Sequence, residues 1–278
     1  MIQYPLGVDG VTTRVLDSGG DGELIVMLHG VGSRSDRFRA NVDGLGATGY
    51  RAVAVDLPGH GLADKGVRPY SVPYYADFLL GLISALGAER AHVIGTSMGG
   101  HIGAYAAVKA PECVPSLVML GTLGVVPLGL DARSAIAKSI VNRSQDGIAA
   151  KLRFVFHRRD LITSSWVEEE FRINNSPGST EAFEALSTYF AERVDDDVVG
   201  EELALVSDRV KMLLVWGTED TMVIPDVGHA AQKVLGDVPL VLMTDTGHGP
   251  YLERADDFNT LVLSFLSGGL PGPLTRTI

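Results

Sequence analysis

The stretch His92-Val-Ile-Gly-Thr-Ser-Met-Gly-Gly100 compresses a strand, a very tight turn and the head of a helix into one short run. Val93 and Ile94 supply an apolar strand, Gly95, Ser97 and Gly99 stand in a Gly-x-Ser-x-Gly spacing, and a helix rich in small residues, Ile102–Ala110, follows. A serine on such a turn must take strained backbone angles, so the residues two before and two after it must be small. That geometry presents the hydroxyl at the head of a helix. There the positive helix end and the Met98 N–H can stabilise negative charge. A single pentapeptide is also compatible with an ordinary glycine-rich turn, so the rest of the chain has to decide.

Around the turn, strands and helices alternate. Val11–Leu16, Leu24–Leu28, Ala52–Val55, Val93–Thr96 and Leu117–Leu120 read as strands, the second apolar throughout, as a strand buried on both faces must be. Helical periods cover Asp36–Thr48, stopped by Gly49, and Pro73–Leu86, opened by Pro73 and stopped by Gly87. This repetition predicts a mostly parallel sheet covered by helices on both faces. The rhythm breaks after Gly121. From Gly124 to about Asp208 only helical stretches occur: Ala132–Val141, Gly147–Phe156, Ser165–Asn174, Thr180–Ala191 and Val199–Ser207. The charge runs among them, His157-Arg-Arg-Asp160, Glu168-Glu-Glu170 and Asp195-Asp-Asp197, read as solvated faces or loops. Strands at Val210–Trp216 and Val238–Met243 and helices at Asp226–Leu235 and Pro250–Phe265 restore the pattern. Residues 1–123 and 209–278 are therefore expected to form one α/β core, with 124–208 as an inserted helical cap. Gly268–Pro273 has the composition of a loose tail.

A chain of 278 residues, 46% hydrophobic and 21% charged, can bury a large globular core. Its net charge of −11, with no basic stripe, excludes nucleic acid as an expected partner. No apolar run approaches the roughly 20 residues that span a bilayer, and Met1–Gly7 lacks a secretory signal, so no membrane partner is expected and the cytoplasm is the expected compartment. Cys113, the only cysteine, allows no intrachain disulfide and reads as a structural thiol between helix and strand. No cluster has metal-ligand spacing, and neither a dinucleotide fingerprint nor a phosphate-loop Gly-Lys-Ser/Thr occurs, so no metal or cofactor is expected. The expected partner is a small-molecule substrate, and the sequence is compatible with a homo-oligomer.

A serine hydroxyl needs a base, and the base needs an orienting group. Reactive groups in a parallel sheet collect just beyond the carboxyl ends of strands. Two late sites answer that description: Gly217-Thr-Glu-Asp220 and Gly247-His248-Gly249. The order Ser97, Asp220, His248 follows, with Glu219 and Asp245 as rival acids; Asp245 is disfavoured because it lies so close in sequence to His248. The Leu28-His-Gly-Val31-Gly32 loop, again after a buried strand, offers backbone N–H groups, so the oxyanion hole is assigned to the N–H groups of Val31 and Met98. Gly30 and Thr96, beside these positions, are expected at the substrate. His29, His60 and His101 read as packed structural residues.

Together, His29-Gly30, Asp56-Leu-Pro-Gly-His-Gly61, Gly95-Thr-Ser-Met-Gly-Gly100, Gly217-Thr-Glu-Asp220 and Gly247-His248 resemble the motifs of the α/β-hydrolase superfamily, in order and spacing. The resemblance covers the chain apart from 124–208, which falls where that family carries its helical cap. It implies an α/β-hydrolase fold with an eight-stranded type of sheet. Within the superfamily the chain is most similar to the carbon–carbon bond hydrolases of meta-cleavage products from aromatic degradation. The likeness rests on the Gly-x-Ser-Met-Gly-Gly elbow, Phe154–Thr163, Glu170-Phe-Arg172 and Ser176-Pro-Gly178. It implies that Arg172 contacts the acidic dienoate end of the substrate, which suits a guanidinium fork; the alternative is a surface helix residue paired with Glu168 or Glu169. The chain has Thr96 and Gly249 where that group usually has asparagine before the nucleophile and tryptophan after the histidine. Carboxylesterase or lactonase activity is the alternative implied, ahead of a cofactor-free lyase or oxygenase and of a non-catalytic ligand-binding protein.

Overall fold

Apolar strands flanked by amphipathic helices bury both faces of a sheet, and that arrangement organises this chain. The structure, a computed structural model, describes residues 1–236, 238–269 and 275–278. Nine strands are described: β1 (Ile2–Val8), β2 (Val11–Asp17), β3 (Leu24–Leu28), β4 (Arg51–Val55), β5 (His92–Thr96), β6 (Ser116–Leu120), β7 (Lys211–Gly217), β8 (Leu240–Met243) and β9 (Thr275–Thr277). They form one sheet in the order β1-β2-β4-β3-β5-β6-β7-β8-β9. The β1/β2 and β2/β4 pairs are antiparallel, and every later pair is parallel. β5 lies between β3 and β6, so the serine turn leaves the sheet at its middle.

The sheet has the expected mostly parallel form, with one strand more than the eight-stranded type. β1 pairs with β2 through a turn in which Asp9 and Gly10 both have positive φ, 46° and 76°. That is the Asp-Gly chemistry of a tight hairpin. β9 adds a short, exposed strand beside β8, anchored where Ile278 N–H donates to the Leu242 carbonyl at 2.9 Å. Of the expected loose tail, residues 270–273 lie outside the described residues.

Helices α1 (Arg39–Gly46), α2 (Val72–Ala85) and α3 (Met98–Lys109) precede the insertion. Five more stand between β6 and β7: α4 (Leu130–Val141), α5 (Gln145–Val155), α6 (Ser164–Asn174), α7 (Ser179–Glu192) and α8 (Gly200–Ala204). After β7 come α9 (Pro225–Leu235), α10 (Pro250–Glu253) and α11 (Ala255–Leu266). One apolar core joins α2, α3 and α9 to one face of the sheet, and a second joins α1 and α11 to the other. A third, small cluster within the insertion packs Ile148, Leu152 and Phe156 against Trp166 and Phe171.

The run expected as one helix over Pro250–Phe265 is two helices. Arg254 takes φ −136° and ψ 58° between them, and its guanidinium donates to the Thr244 and Ile278 carbonyls at 3.1 Å. The helix expected from Asp36 begins as a 3₁₀ turn over Ser35–Phe38 before α1. β8 starts at Leu240, after Pro239, which has no N–H to give to a ladder.

Candidate active site

Three strand ends meet above the middle of the sheet. At the end of β5, Ser97 holds φ 55° and ψ −118°, a strained conformation for a residue with a side chain. Two constraints maintain it. Its N–H donates to the Leu120 carbonyl at 2.9 Å, and its own carbonyl accepts from Gly100 and His101 at the start of α3. The turn leaves no room for side chains around it. A Cβ on Gly95 would stand 2.2 Å from the Gly99 carbonyl oxygen, and one on Gly99 would stand 2.3 Å from that of Leu28.

Beyond β7, the Asp220 carboxylate is nearly sealed from solvent, and its Oδ1 accepts the N–H groups of Met222 and Val223, each at 2.9 Å. Its Oδ2 lies 2.7 Å from Nδ1 of His248, on the loop after β8. His248 Nε2 is buried without a hydrogen-bond partner among the described residues. His248 and Ser97 line the same cavity, together with Gly30, Val31 and Thr96. Gly30 packs directly on the serine, since a Cβ there would come within 3.6 Å of Ser97 Oγ. Among the described residues, neither the Val31 nor the Met98 N–H donates to another protein group. The rival acids lie elsewhere: Asp245 stands on a separate turn at φ 55°, and the Glu219 carboxylate, among the described residues, receives only the Thr218 hydroxyl at 3.4 Å.

The structural histidines are accounted for. His29 donates from Nδ1 to the Gly30 carbonyl and accepts Leu57 N–H on Nε2, which fixes the loop after β3. His60 and His101 hydrogen-bond to the Pro58 and Asp197 carbonyls and do not line the cavity.

Arg172 is a correction. It was expected at the substrate's acidic end, but it projects from the outer side of α6, its side chain 77% exposed and paired with Glu168 at 2.7 Å. A helix presents neighbouring residues on different faces, and Glu170 takes the inward one. The Glu168–Glu170 run is therefore not simply a solvated face. Glu170 is 3% exposed and is held by Arg34, at 2.9 Å, and by Arg37. Arg37 also stacks over the Trp166 ring at 3.8 Å. These pairs continue through Asp36 to Arg14 and Asp56 and so tie α6 to the core. The Asp195–Asp197 run is likewise engaged: Asp195 accepts Leu128 N–H at 2.8 Å, and Asp197 accepts the Tyr189 hydroxyl at 2.6 Å.

Sequence reasoning missed several residues here. Gly121, at the end of β6, carries φ 46° beneath the acid–histidine pair, and a Cβ there would stand 2.8 Å from His248 Nδ1. Phe156, from the end of α5, fills the space beside Gly249, where a Cβ would lie 2.3 Å from its ring. Buried Glu253 binds Gly247 N–H through one oxygen and Arg158 N–H through the other, at 2.9 and 2.7 Å. His248 N–H also donates to the Val155 carbonyl at 2.8 Å, so the histidine loop is fastened to the inserted helices. Arg37, Lys151 and Glu170 bring charge to an otherwise largely apolar lining of Leu, Ile, Val, Phe and Met. Only the glycine at 121, directly after a buried strand, carried a readable local signal. The others depend on tertiary approach. Among the described residues, no group of three or more His, Cys, Asp or Glu is placed to hold a metal, and no helix is long and apolar enough to cross a membrane.

A sheet of this order, with a strained serine at its centre and an Asp–His pair beyond two later strands, defines an enzyme of the α/β-hydrolase class. The family model described as the alpha/beta hydrolase fold matches residues 23–255, and the chain belongs to that family. It is 30% identical, over 91% of its length and 91% of the relative's, to a 2-hydroxy-6-oxononadienedioate/2-hydroxy-6-oxononatrienedioate hydrolase of a Pseudomonas species. It is 32% identical, over 94% of its own length and 68% of the relative's, to the dihydrolipoyllysine-residue acetyltransferase component of an acetoin cleaving system from Cupriavidus necator. A meta-cleavage product hydrolase of Pseudomonas fluorescens IP01 shares the fold with a TM-score of 0.83 at 24% identity, covering 96% of this chain and 98% of that one.

Proposed function

We propose that this chain is a serine hydrolase that cleaves a carbon–carbon bond in a small 2-hydroxy-6-oxo-dienoate. The observation that carries the reading is the Asp220–His248 pair, which leaves Nε2 buried and unpartnered in the cavity that Ser97 enters. Asp220 holds the imidazole with its proton on Nδ1, so that Nε2 is the basic nitrogen. His248 first moves a proton on the substrate, converting the dienol to the keto form in which the departing carbon leaves as a stabilised carbanion. It then takes the Ser97 proton as the hydroxyl attacks the remote ketone carbon. The Val31 and Met98 N–H groups receive the developing oxyanion. The carbon–carbon bond breaks, the carbanion is protonated, and water releases the acyl group from Ser97 as a carboxylic acid.

Supporting the carbon–carbon reading are relatives of that activity over nearly the full chain and the cationic groups at the apolar cavity. A carboxylesterase is the second reading, favoured by the departures at Thr96 and Gly249, the latter position being covered by Phe156. Initial rates on a panel of dienoate diketones, para-nitrophenyl esters and lactones test both. Turnover of dienoates at or above that of esters is expected; steady ester hydrolysis with no dienoate cleavage would retire the first reading for the second.

A further inference from the structure

The inserted helices carry two charged side chains into the cavity that the serine chemistry does not use, Glu170 and Lys151, and of these Glu170 is already paired with arginines. Lys151, on α5, reaches across to the loop after β3, where its Nζ donates to the Gly32 carbonyl at 3.3 Å. That loop also carries the Val31 N–H and, through Gly30, packs on Ser97. The bond is long for an ammonium donor. It is the only one that Lys151 Nζ makes among the described residues, although an ammonium has three donors. Burial pushes the group's pKa below that of an ordinary lysine, with Glu170 opposing the fall and Arg37 adding to it. Glu170 does not neutralise the ammonium, because Arg34 and Arg37 already hold that carboxylate. Arg37, Lys151 and Glu170 therefore leave one positive charge in excess at the cavity. A partly buried ammonium with free donors is costly unless an anion completes it.

We propose that Lys151 determines the specificity of this site by binding the carboxylate of an acidic substrate while the reacting carbonyl lies at Ser97. The proposal rests on the serine-hydrolase reading and gives the acid-recognising role to α5, in place of Arg172 on α6. It needs no particular scissile bond: any substrate that carries a carboxylate apart from its reacting carbonyl qualifies.

The test compares two esters of one length, the para-nitrophenyl monoester of glutaric acid and para-nitrophenyl valerate, on wild type, Lys151→Met and Lys151→Gln. Wild type is expected to prefer the acidic ester by kcat/KM. Both variants should lose about 10- to 100-fold of that preference, the size expected when a hydrogen bond to a charged group is removed. Urea midpoints report folding, and removal of a partly buried charge that lacks a carboxylate partner should not lower them. Equal losses on both esters would make Lys151 a structural contact and overturn the proposal, as would a wild type without preference. Calorimetric binding of free glutarate reads the same site without turnover: it should weaken in both variants by a similar factor, and unchanged binding would also overturn the proposal. Failure to cleave dienoates, with the ester preference intact, would remove the carbon–carbon reading and leave Lys151 in its role.

Discussion

Asp220 and His248 are joined through one carboxylate oxygen only. Oδ2 meets His248 Nδ1 at 2.7 Å, while Oδ1 is taken by the Met222 and Val223 N–H groups. The acid is therefore oriented by its own loop before it orients the base. Asp220→Asn would keep an oxygen for those N–H groups but turn its NH₂ toward the ring. That selects the wrong tautomer, with the proton on Nε2. A loss of about 10⁴-fold in kcat is expected with the fold intact. Stopped assays beside near-ultraviolet dichroism check it, and near-normal turnover would remove Asp220 from the assigned role.

Ser97→Ala should lower turnover by about 10⁴-fold or more, because the serine and its base act as one unit. The variant should also fail to take a fluorophosphonate label that the wild type takes. Hydrolysis near the wild-type rate in Ser97→Ala would exclude the nucleophile.

At Gly121, φ 46° and the close approach to His248 act together. An alanine Cβ there would need the ring or the Asp220 carboxylate to shift by several tenths of an ångström. Gly121→Ala is expected to cost about 10²-fold in kcat, in keeping with the sensitivity of catalysis to such misplacement. A variant with unchanged kcat would show that the pair tolerates displacement.

Two charged residues of α6, Glu170 and Arg172, should respond to removal very differently. Glu170→Ala strips a carboxylate from the buried Arg34 and Arg37 and should destabilise the protein by about 3 kcal/mol. Arg172→Ala removes an exposed pair with Glu168 and should change stability by less than about 0.5 kcal/mol, with kcat/KM unaltered. Urea midpoints and substrate kinetics separate the cases. A large fall in substrate affinity in Arg172→Ala would restore that residue to the site.

These contrasts mark what the chain discloses before folding. Strand ends are legible because buried parallel strands are continuous apolar runs, and the residues that follow them are punctuated by glycine. Ser97, Asp220, His248 and Val31 all lie in such positions. β1 was legible in principle through Asp9-Gly10, but its exposed residues and Pro5 hide it from a search for apolar runs. Arg37, Lys151, Phe156 and Glu170 are different. They converge from the loop after β3 and from two inserted helices, and no local spacing encodes which face of α5 or α6 turns inward. Arg172 and Glu170 are two residues apart on one helix, and only packing distinguishes them.

Acid stability should fall in two separate windows. His29, His60 and His101 are each buried, and burial pushes each pKa below the ordinary histidine value. In the native protein they stay neutral while the unfolded chain takes up protons below about pH 6.5. Their contribution is therefore complete above that pH and is lost as pH falls toward their folded values, by up to about 1.4 kcal/mol per pH unit for each ring. Asp36 acts lower. Despite burial, Arg14, Arg34 and Arg39 hold its carboxyl well below the usual carboxylate range, so its contribution is present above about pH 4 and is lost only below it. Urea midpoints at pH 7.5, 6.5, 5.5 and 4.5 should decline from about pH 6.5. A flat profile down to pH 4.5 would mean that the three rings titrate normally in the folded chain.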